Sequence, residues 1–97
     1  MVKKAKVKQT KVEAERQRRI CVALWAYAYE IEDDPIVDDA MFDTTCKEIN
    51  TSIKTGNPEM DVWFMRNFTP DTGQWIHSHP HLDRLKQMYQ QHKRNTK

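Results

Sequence analysis

A double stripe of apolar side chains along residues 20–31 constrains the fold of this 97-residue chain more than any other feature. Both stripes repeat at helical intervals, with Ile20, Leu24, Tyr27 and Ile31 in one and Cys21, Trp25 and Ala28 in the other. A helix with two apolar stripes must be covered by neighbours on both sides, so this segment belongs at the centre of a domain. We predict a helix over 11–32, which begins with the capping-box spacing of Thr10 and Glu13. It ends before Asp34-Pro35, because the residue before a proline disfavours helix.

Three more helices are predicted after the first. Asp38 is the natural N-cap of the second, which is predicted to continue to Thr55-Gly56. Its apolar face consists of Phe42, Cys46, Ile49 and Ile53. Asn57-Pro58 opens a short third helix over 58–66, and Pro80 is predicted in the first turn of the fourth. The inward side of that fourth helix consists of Leu82, Leu85, Met88 and Tyr89.

These segments predict an all-α fold, a small four-helix domain built on a helical hairpin. Strand-like alternation is scarce, and only two glycines and four prolines interrupt the chain. We expect a flexible basic arm over 1–9, one helical domain over 10–94 and a basic tail over 95–97. The longest apolar stretch, residues 20–28, is far too short to span a membrane, and no secretory signal precedes it. A cytoplasmic protein is therefore predicted, or one in the host cytoplasm if the chain is viral, with both cysteines reduced.

Charge is strongly segregated along the chain, although the net charge is only +2. Residues 1–19 carry eight Lys or Arg against two Glu, residues 20–83 carry three against twelve acids, and residues 84–97 carry five and no acid. Basic ends can hold nucleic-acid phosphates, or they can neutralise the acidic middle of the same or a neighbouring molecule. The predicted phosphate contacts are Lys3, Lys4, Lys6, Lys8, Lys11, Arg16, Arg18, Arg19, Lys93 and Arg94.

The segment Tyr27–Asp43 combines an aromatic helix end, an acidic break with a proline and a new helix that opens on two aspartates. It contains the pair Tyr27-x-Tyr29, then Asp34-Pro35, then Asp39-Ala40-Met41-Phe42-Asp43. Over about residues 20–49 this pattern resembles the N-terminal helical domain of NAD-dependent DNA ligases, which grips the nicotinamide mononucleotide (NMN) half of NAD. The resemblance implies a helical hairpin with a nucleotide pocket, and NMN or NAD is the one cofactor that it suggests.

Carried over to this sequence, the resemblance implies that Tyr29 contacts the nicotinamide nucleotide and that Asp39 and Asp43 hold it. Glu30 stands where the family commonly has histidine, and Phe42 stands where it has tyrosine. An aromatic face stabilises a pyridinium cation by about 0.5–2 kcal/mol, and a carboxylate accepts hydrogen bonds from the carboxamide or the ribose. The same residues also have a purely structural explanation, since aromatic side chains on apolar stripes fill cores and aspartates begin helices.

Catalysis and metal binding are not predicted. A ligase takes AMP on the lysine of a Lys-x-Asp-Gly motif, which this sequence lacks. Gly56 and Gly73 are its only glycines, so a phosphate-cradling loop is also missing. The alternating histidines of residues 77–81 suit a metal ion, but they also suit the segment before a helix, and neither cysteine stands at zinc-ligand spacing.

Three functions remain open. The favoured one is a non-catalytic interaction module, such as a phage or mobile-element accessory protein. It would meet a protein partner through its acidic middle and through Trp75, His77 and His79. The second is nucleic-acid binding through the basic ends, and the third is binding of a nicotinamide nucleotide, alone or beside a separate adenylation domain. Trp75 is predicted as an exposed contact because it lies beside a proline–glycine turn, whereas Trp25 and Trp63 are predicted core residues.

Overall fold

The first helix, α1, spans Lys11–Glu30 in the computed structural model, which describes residues 10–95. The capping box that the sequence predicts is present at its start. The Thr10 hydroxyl accepts from the Glu13 N–H, and the Glu13 carboxylate accepts from the Thr10 N–H, both at 3.0 Å. Two N–H groups that a helix start leaves unpaired are satisfied in this way, and the predicted start is confirmed.

The end of α1 comes slightly earlier than the predicted Glu32. Asp33 adopts a left-handed conformation, with φ at 54°, and the chain reverses there. This reversal brings the Asp34 N–H to 2.9 Å from the Ala28 carbonyl. Aspartate is one of the few residues other than glycine that tolerates such a backbone, so the acidic break ends the helix before the proline does.

The second helix, α2, spans Asp39–Glu48 and begins where the sequence predicts. The carboxylate of Asp38, its N-cap, accepts from the Met41 N–H at 2.9 Å. The prediction that this helix continues to Thr55-Gly56 is wrong, because the backbone becomes extended at Ile49.

Hydrogen bonds of Asn50 and its neighbours favour a loop over continued helix after α2. Asn50 Oδ1 accepts from the N–H and the hydroxyl of Ser52 at 3.0 and 2.6 Å, a local turn that competes with helix. The carbonyls of Asn50 and Ile53 both accept from Arg19 Nη2, at 3.0 and 2.9 Å. Ile49 and Ile53, predicted on a helix face, therefore lie in a loop that is hydrogen-bonded to α1.

The third helix, α3, spans Pro58–Asn67, and its Asn57 cap accepts from the Met60 N–H at 3.3 Å. The start of this helix is confirmed, with proline at its first position as the sequence predicts. A short 3-10 helix, Gln74–Ser78, follows the turn after α3.

The last helix, α4, spans Leu82–Asn95. Pro80 lies before its first turn rather than in it, because the His81 carbonyl accepts the first helical N–H groups, those of Arg84 and Leu85, at 3.1 and 3.2 Å. The helix itself is predicted correctly, and only its first residue shifts.

The core forms where α1 contacts α2, α4 and the 3-10 helix. Its buried apolar members are Val22, Ala23, Ala26, Tyr27, Cys46, Phe64, Trp75, Ile76 and Leu85. The all-α prediction is confirmed, since residues 10–95 form four α-helices and no strand. Ile20 and Ile31, predicted on a buried stripe, are 46% and 39% exposed, because the packed face of α1 runs through Val22 and Ala26 instead. No helix in the described part of the chain is long and apolar enough to cross a lipid bilayer.

A buried ion pair fastens the loop after α2 to α1. Glu15 is fully buried, and its carboxylate accepts from Arg19 Nε at 2.8 Å, from Arg18 Nη2 at 3.0 Å and from the Asn50 N–H at 3.0 Å. Arg19 is only 4% exposed and donates further from Nη1 to Asp61 at 2.8 Å. These hydrogen bonds satisfy both buried charges, which would otherwise be costly to bury.

Candidate ligand-binding hollow

A cavity of about 260 Å³ lies between the end of α1, the start of α2 and the turn 71–73. Its lining consists of Trp25, Tyr29, Glu30, Pro35, Val37, Asp39, Phe42, Asp43, Asp71, Thr72 and Gly73, and we call it the acidic hollow. The five residues for which the sequence predicts nucleotide contact are all in this lining: Tyr29, Glu30, Asp39, Phe42 and Asp43. The structure therefore brings them together, while their binding of a nucleotide stays a prediction.

The α1 wall is aromatic. Trp25 and Tyr29 are four residues apart, so they lie on one face of the helix, one turn above the other. Trp25 is half-buried against the core, whereas Tyr29 is 55% exposed. A bound group would therefore contact the half-buried indole of Trp25 and the exposed phenol ring of Tyr29.

The α2 wall combines two carboxylates with one apolar side chain. Asp39 lies in the first turn, and Asp43 follows four residues later on the same face. Phe42 packs against the core beside them. The two helices that share this hollow are joined by a short segment, with a left-handed turn at Asp33 after α1 and the cap at Asp38 before α2.

The third wall, Asp71–Gly73, was not foreseen from the sequence. Gly73 packs against both helices, since a Cβ placed there would lie at ordinary van der Waals distances of 3.4 Å from Ala26 Cβ and 3.5 Å from Phe42 Cζ. Trp75 fixes the turn, since its indole N–H donates to the Thr72 carbonyl at 2.6 Å. The proline–glycine pattern predicts a turn here, but nothing local indicates what that turn packs against.

The lining is rich in negative charge. It contains the carboxylates of Glu30, Asp39, Asp43 and Asp71 and no Lys or Arg. Among residues 10–95, the three aspartates of this set form no ion pair. Glu30 Oε1 lies 3.4 Å from His77 Nε2. Carboxylates beside aromatic faces are an arrangement suited to a cationic group.

The three predicted partner contacts have different surroundings. Trp75 as an exposed contact is wrong, because the side chain is only 6% exposed and packs against Trp63 and Phe68 with ring centroids 6.0 and 5.1 Å away. His77 is exposed beside Glu30, at the edge of the acidic hollow. Its place there fits a contact role, which remains a prediction.

His79, the third predicted contact, is half-buried rather than free. Its ring centroid lies 5.0 Å from that of Trp63, and its Nδ1 accepts from the His81 N–H at 3.0 Å. Burial, together with the nearby His81 ring, lowers the pKa of His79 from 6.5 to about 4. The imidazole is therefore neutral at physiological pH.

Those predicted phosphate contacts that fall within residues 10–95 do not form one surface. Lys3, Lys4, Lys6 and Lys8 lie outside the described residues. Lys93 Nζ lies 2.8 Å from Asp34, just beyond the end of α1, whereas Lys11 begins that helix. A helix of 20 residues is about 30 Å long, so Lys11 and Lys93 lie near opposite ends of α1.

The arginines of α1 are largely engaged within the fold. Arg19 as a phosphate contact is contradicted by its burial and by donors that already bond Glu15, Asp61 and two loop carbonyls. Arg18 pairs with Glu15, and Arg16 donates from Nη2 to the Thr55 carbonyl. The remaining candidates, Lys11 and Arg94, are exposed.

Comparison of this chain with protein-family models, with curated proteins and with solved structures gives no match. Nothing in these comparisons links the chain to the ligase domain, so the resemblance of residues 20–49 stays a prediction. Within residues 10–95, no group of three His, Cys, Asp or Glu side chains is placed to hold a metal ion.

Proposed function

We propose that this chain is a non-catalytic interaction module that holds a cationic side chain of a protein partner in the acidic hollow. The observation that supports the proposal is the position of Asp39, Asp43 and Asp71 around the rings of Trp25 and Tyr29. Charge attracts a cation to the carboxylates, and the ring quadrupole attracts it to the aromatic faces.

Arginine is the cation that suits this lining best. Its planar guanidinium stacks on an aromatic ring and donates two parallel hydrogen bonds to a carboxylate, whereas the ammonium of lysine acts as a compact point charge. An exposed ion pair contributes about 0–1 kcal/mol and a cation–π contact about 0.5–2 kcal/mol. One side chain therefore gives weak binding, and the partner must add contacts around the rim.

The size of the hollow also favours a single side chain. Pockets that take whole small molecules measure roughly 300–1,000 Å³. At about 260 Å³ the acidic hollow falls just below this range. A guanidinium, or one aromatic ring of a larger ligand, fills such a space better than a complete dinucleotide.

Amide chemical-shift mapping with a short Gly-Arg repeat peptide tests the proposal. A peptide with citrulline in place of arginine is the matched control, since citrulline keeps the planar shape and loses the charge. We expect saturable shifts at the Trp25 indole N–H and the Gly73 amide for the arginine peptide, and much smaller shifts for the citrulline peptide.

Variants sharpen the same experiment. Asp39→Asn should weaken arginine-peptide binding by up to about fivefold, which corresponds to losing about 1 kcal/mol from one exposed ion pair. Asp83→Asn, an exposed acid on α4 outside the hollow, should leave it unchanged. Equal binding of both peptides, or shifts that avoid the hollow, would remove the support for this function.

A second candidate is binding of a nicotinamide nucleotide. The observation that favours it is the convergence of Tyr29, Asp39 and Asp43, to which the resemblance assigns nucleotide contacts, on one hollow. The oxidised nicotinamide ring is a flat cation, so the chemistry proposed for arginine also serves a pyridinium.

Calorimetry with NMN at millimolar concentration tests this candidate, with reduced NMN as the control because its ring is uncharged. We expect NMN to bind and reduced NMN not to bind. Both Asp39→Ala and Tyr29→Ala should abolish the binding of NMN. A flat titration with NMN, together with shifts caused by the arginine peptide, would leave the partner-binding proposal standing by itself.

A further inference from the structure

A second cavity, of about 390 Å³, lies against the other half of α1, and no residue of the acidic hollow lines it. Its lining consists of Arg16, Arg19, Ile20, Ala23, Thr55, Gly56, Asn57, Met60, Phe64, His79, His81, Arg84, Leu85 and Met88. We call it the basic cavity. No Asp or Glu is among its lining residues, so it has the opposite charge character to the hollow.

The floor of the basic cavity is apolar. Ala23, Phe64 and Leu85, all core residues, form its base. At the rim, Ile20 is 46% exposed and Met88 is 37% exposed, although both are large apolar side chains. A ligand with an apolar body would cover part of this apolar surface, which favours binding.

Arg16 and Arg84 line the same cavity. Arg84 is exposed on α4, and its side chain forms no hydrogen bond or ion pair with any residue in the range 10–95. Arg16 uses Nη2 to donate to the Thr55 carbonyl, and its other donors have no partner within that range. Arg19 also borders the cavity, but its donors are bonded to Glu15, Asp61 and loop carbonyls.

We propose that the basic cavity binds a small anionic amphiphile, with its carboxylate or phosphate head on Arg84 and Arg16 and its apolar body against Phe64, Ile20 and Met88. The volume lies within the roughly 300–1,000 Å³ of pockets that hold small molecules. The charge complements an anion, and arginine is the side chain whose fork matches carboxylate and phosphate oxygens. This site is independent of the function proposed for the acidic hollow.

Titration with octanoate, octyl phosphate and 1-octanol, followed by amide and methionine-methyl chemical shifts, tests the assignment. The three probes share one apolar chain and differ in the head group. We expect saturable shifts around Met60 and Met88 with both anions. The affinity for 1-octanol should be at least about tenfold lower, because it cannot make charge-assisted hydrogen bonds to arginine.

Variants separate the head-group contact from the apolar contact. Arg84→Gln should weaken octanoate binding about tenfold and leave 1-octanol unchanged, whereas Ile20→Ala, at an exposed site, should weaken both probes alike. Arg66→Gln, an exposed residue on α3 outside the cavity, is the matched control and should change neither. Circular dichroism of each variant verifies that the fold is kept.

Three outcomes would overturn the proposal. The first is equal affinity for octanoate and 1-octanol, and the second is octanoate binding that Arg84→Gln leaves intact. The third is binding of an acidic amphipathic peptide at this cavity without any response to the small anions, which would make it a protein-docking surface. None of these outcomes affects the hollow, whose reporters Trp25 and Gly73 lie outside the basic cavity.

Discussion

Arg19 Nε donates to Glu15 Oε2 at 2.8 Å, and both side chains are withdrawn from solvent one turn apart on α1. The guanidinium also lies 5.4 Å from the centre of the Phe64 ring and bonds two carbonyls of the loop after α2. One charged side chain thus joins α1, α3 and that loop. Burying this pair is tolerable only because every oxygen and nitrogen of the pair finds a partner.

Breaking the pair from either side should be strongly destabilising. We expect Glu15→Gln and Arg19→Met each to lower the free energy of unfolding by at most about 3–5 kcal/mol, because each removes a neutralising partner from a buried charge. Arg19 still keeps Asp61 in the first variant, and Glu15 still keeps Arg18 in the second. A domain of this size is stable by only about 5–15 kcal/mol in total, so either change removes a large fraction. Urea unfolding followed by circular dichroism measures the loss.

The double variant Glu15→Gln/Arg19→Met distinguishes pairing from simple packing. If the two charges compensate each other, its cost will be smaller than the sum of the single costs by about 0.5–3 kcal/mol. Glu48→Gln, at the exposed end of α2, is the control for removing a carboxylate. Strict additivity of the two single changes would contradict the coupling.

Helix starts in this chain are predictable because capping is local. Thr10, Asp38 and Asn57 each accept from an N–H three residues ahead, so the spacing in the sequence contains the whole interaction. The end of α2 was not predictable in this way. The loop carbonyl of Asn50 accepts a hydrogen bond from an arginine 31 residues earlier in the chain. The periodic pattern of apolar residues cannot predict a contact between residues so far apart in sequence.

The lining of the acidic hollow is likewise predictable from the sequence only in part. Tyr29 on α1 and the pair Asp39 and Asp43 on α2 occupy helical positions that a sequence pattern can assign to faces. The turn Asp71–Gly73 completes the hollow through tertiary packing, and the sequence indicates only that it is a turn. The basic cavity is not predictable as a site, although Arg16 and Arg19 are among the predicted phosphate contacts, because its lining comes from three helices.

Trp75 should act on stability rather than as a partner contact. We expect Trp75→Ala to cost about 3–5 kcal/mol, because the substitution leaves a cavity among aromatic side chains and removes the hydrogen bond to Thr72. Met65→Ala, at a residue that is 63% exposed, should change stability by no more than about 0.5 kcal/mol. Thermal unfolding of the two variants makes the comparison, and similar melting temperatures would contradict the buried position of Trp75.

His79 should make stability fall between neutral and mildly acidic pH. Its pKa is lowered from 6.5 to about 4 by burial and by His81, so protons bind the unfolded chain first. The stability from this neutral imidazole is present above pH 6.5 and is lost as the pH falls toward 4, by up to about 1.4 kcal/mol per pH unit. Urea unfolding at stepped pH values measures the slope.

His79→Gln should flatten the slope in that window, because glutamine does not titrate. His77→Gln, the same substitution at an exposed histidine, is the matched control. A slope that survives His79→Gln unchanged would place the responsible proton on another group.

Asp61 should make stability depend on pH in a second range, which is more acidic than that of His79. Its carboxylate accepts from Thr55 N–H at 3.0 Å, from the Thr55 hydroxyl at 2.6 Å and from Arg19 at 2.8 Å. Burial acts to raise its pKa, but these hydrogen bonds and the arginine charge outweigh it and hold the pKa below the ordinary 3.8. The stability that Asp61 contributes is therefore complete above pH 3.8 and is lost as the pH falls through its lowered pKa.

Asp61→Asn should cost about 1.5–3 kcal/mol at neutral pH, since hydrogen bonds to a charged acceptor become bonds to a neutral amide. The amide also turns one oxygen into a donor that faces the Thr55 N–H. The difference between variant and parent should shrink at the acidic end, where the parent carboxylate becomes protonated, whereas the slope due to His79 should persist. A constant difference down to the lowest pH at which both proteins fold would show that Asp61 acts through shape rather than charge.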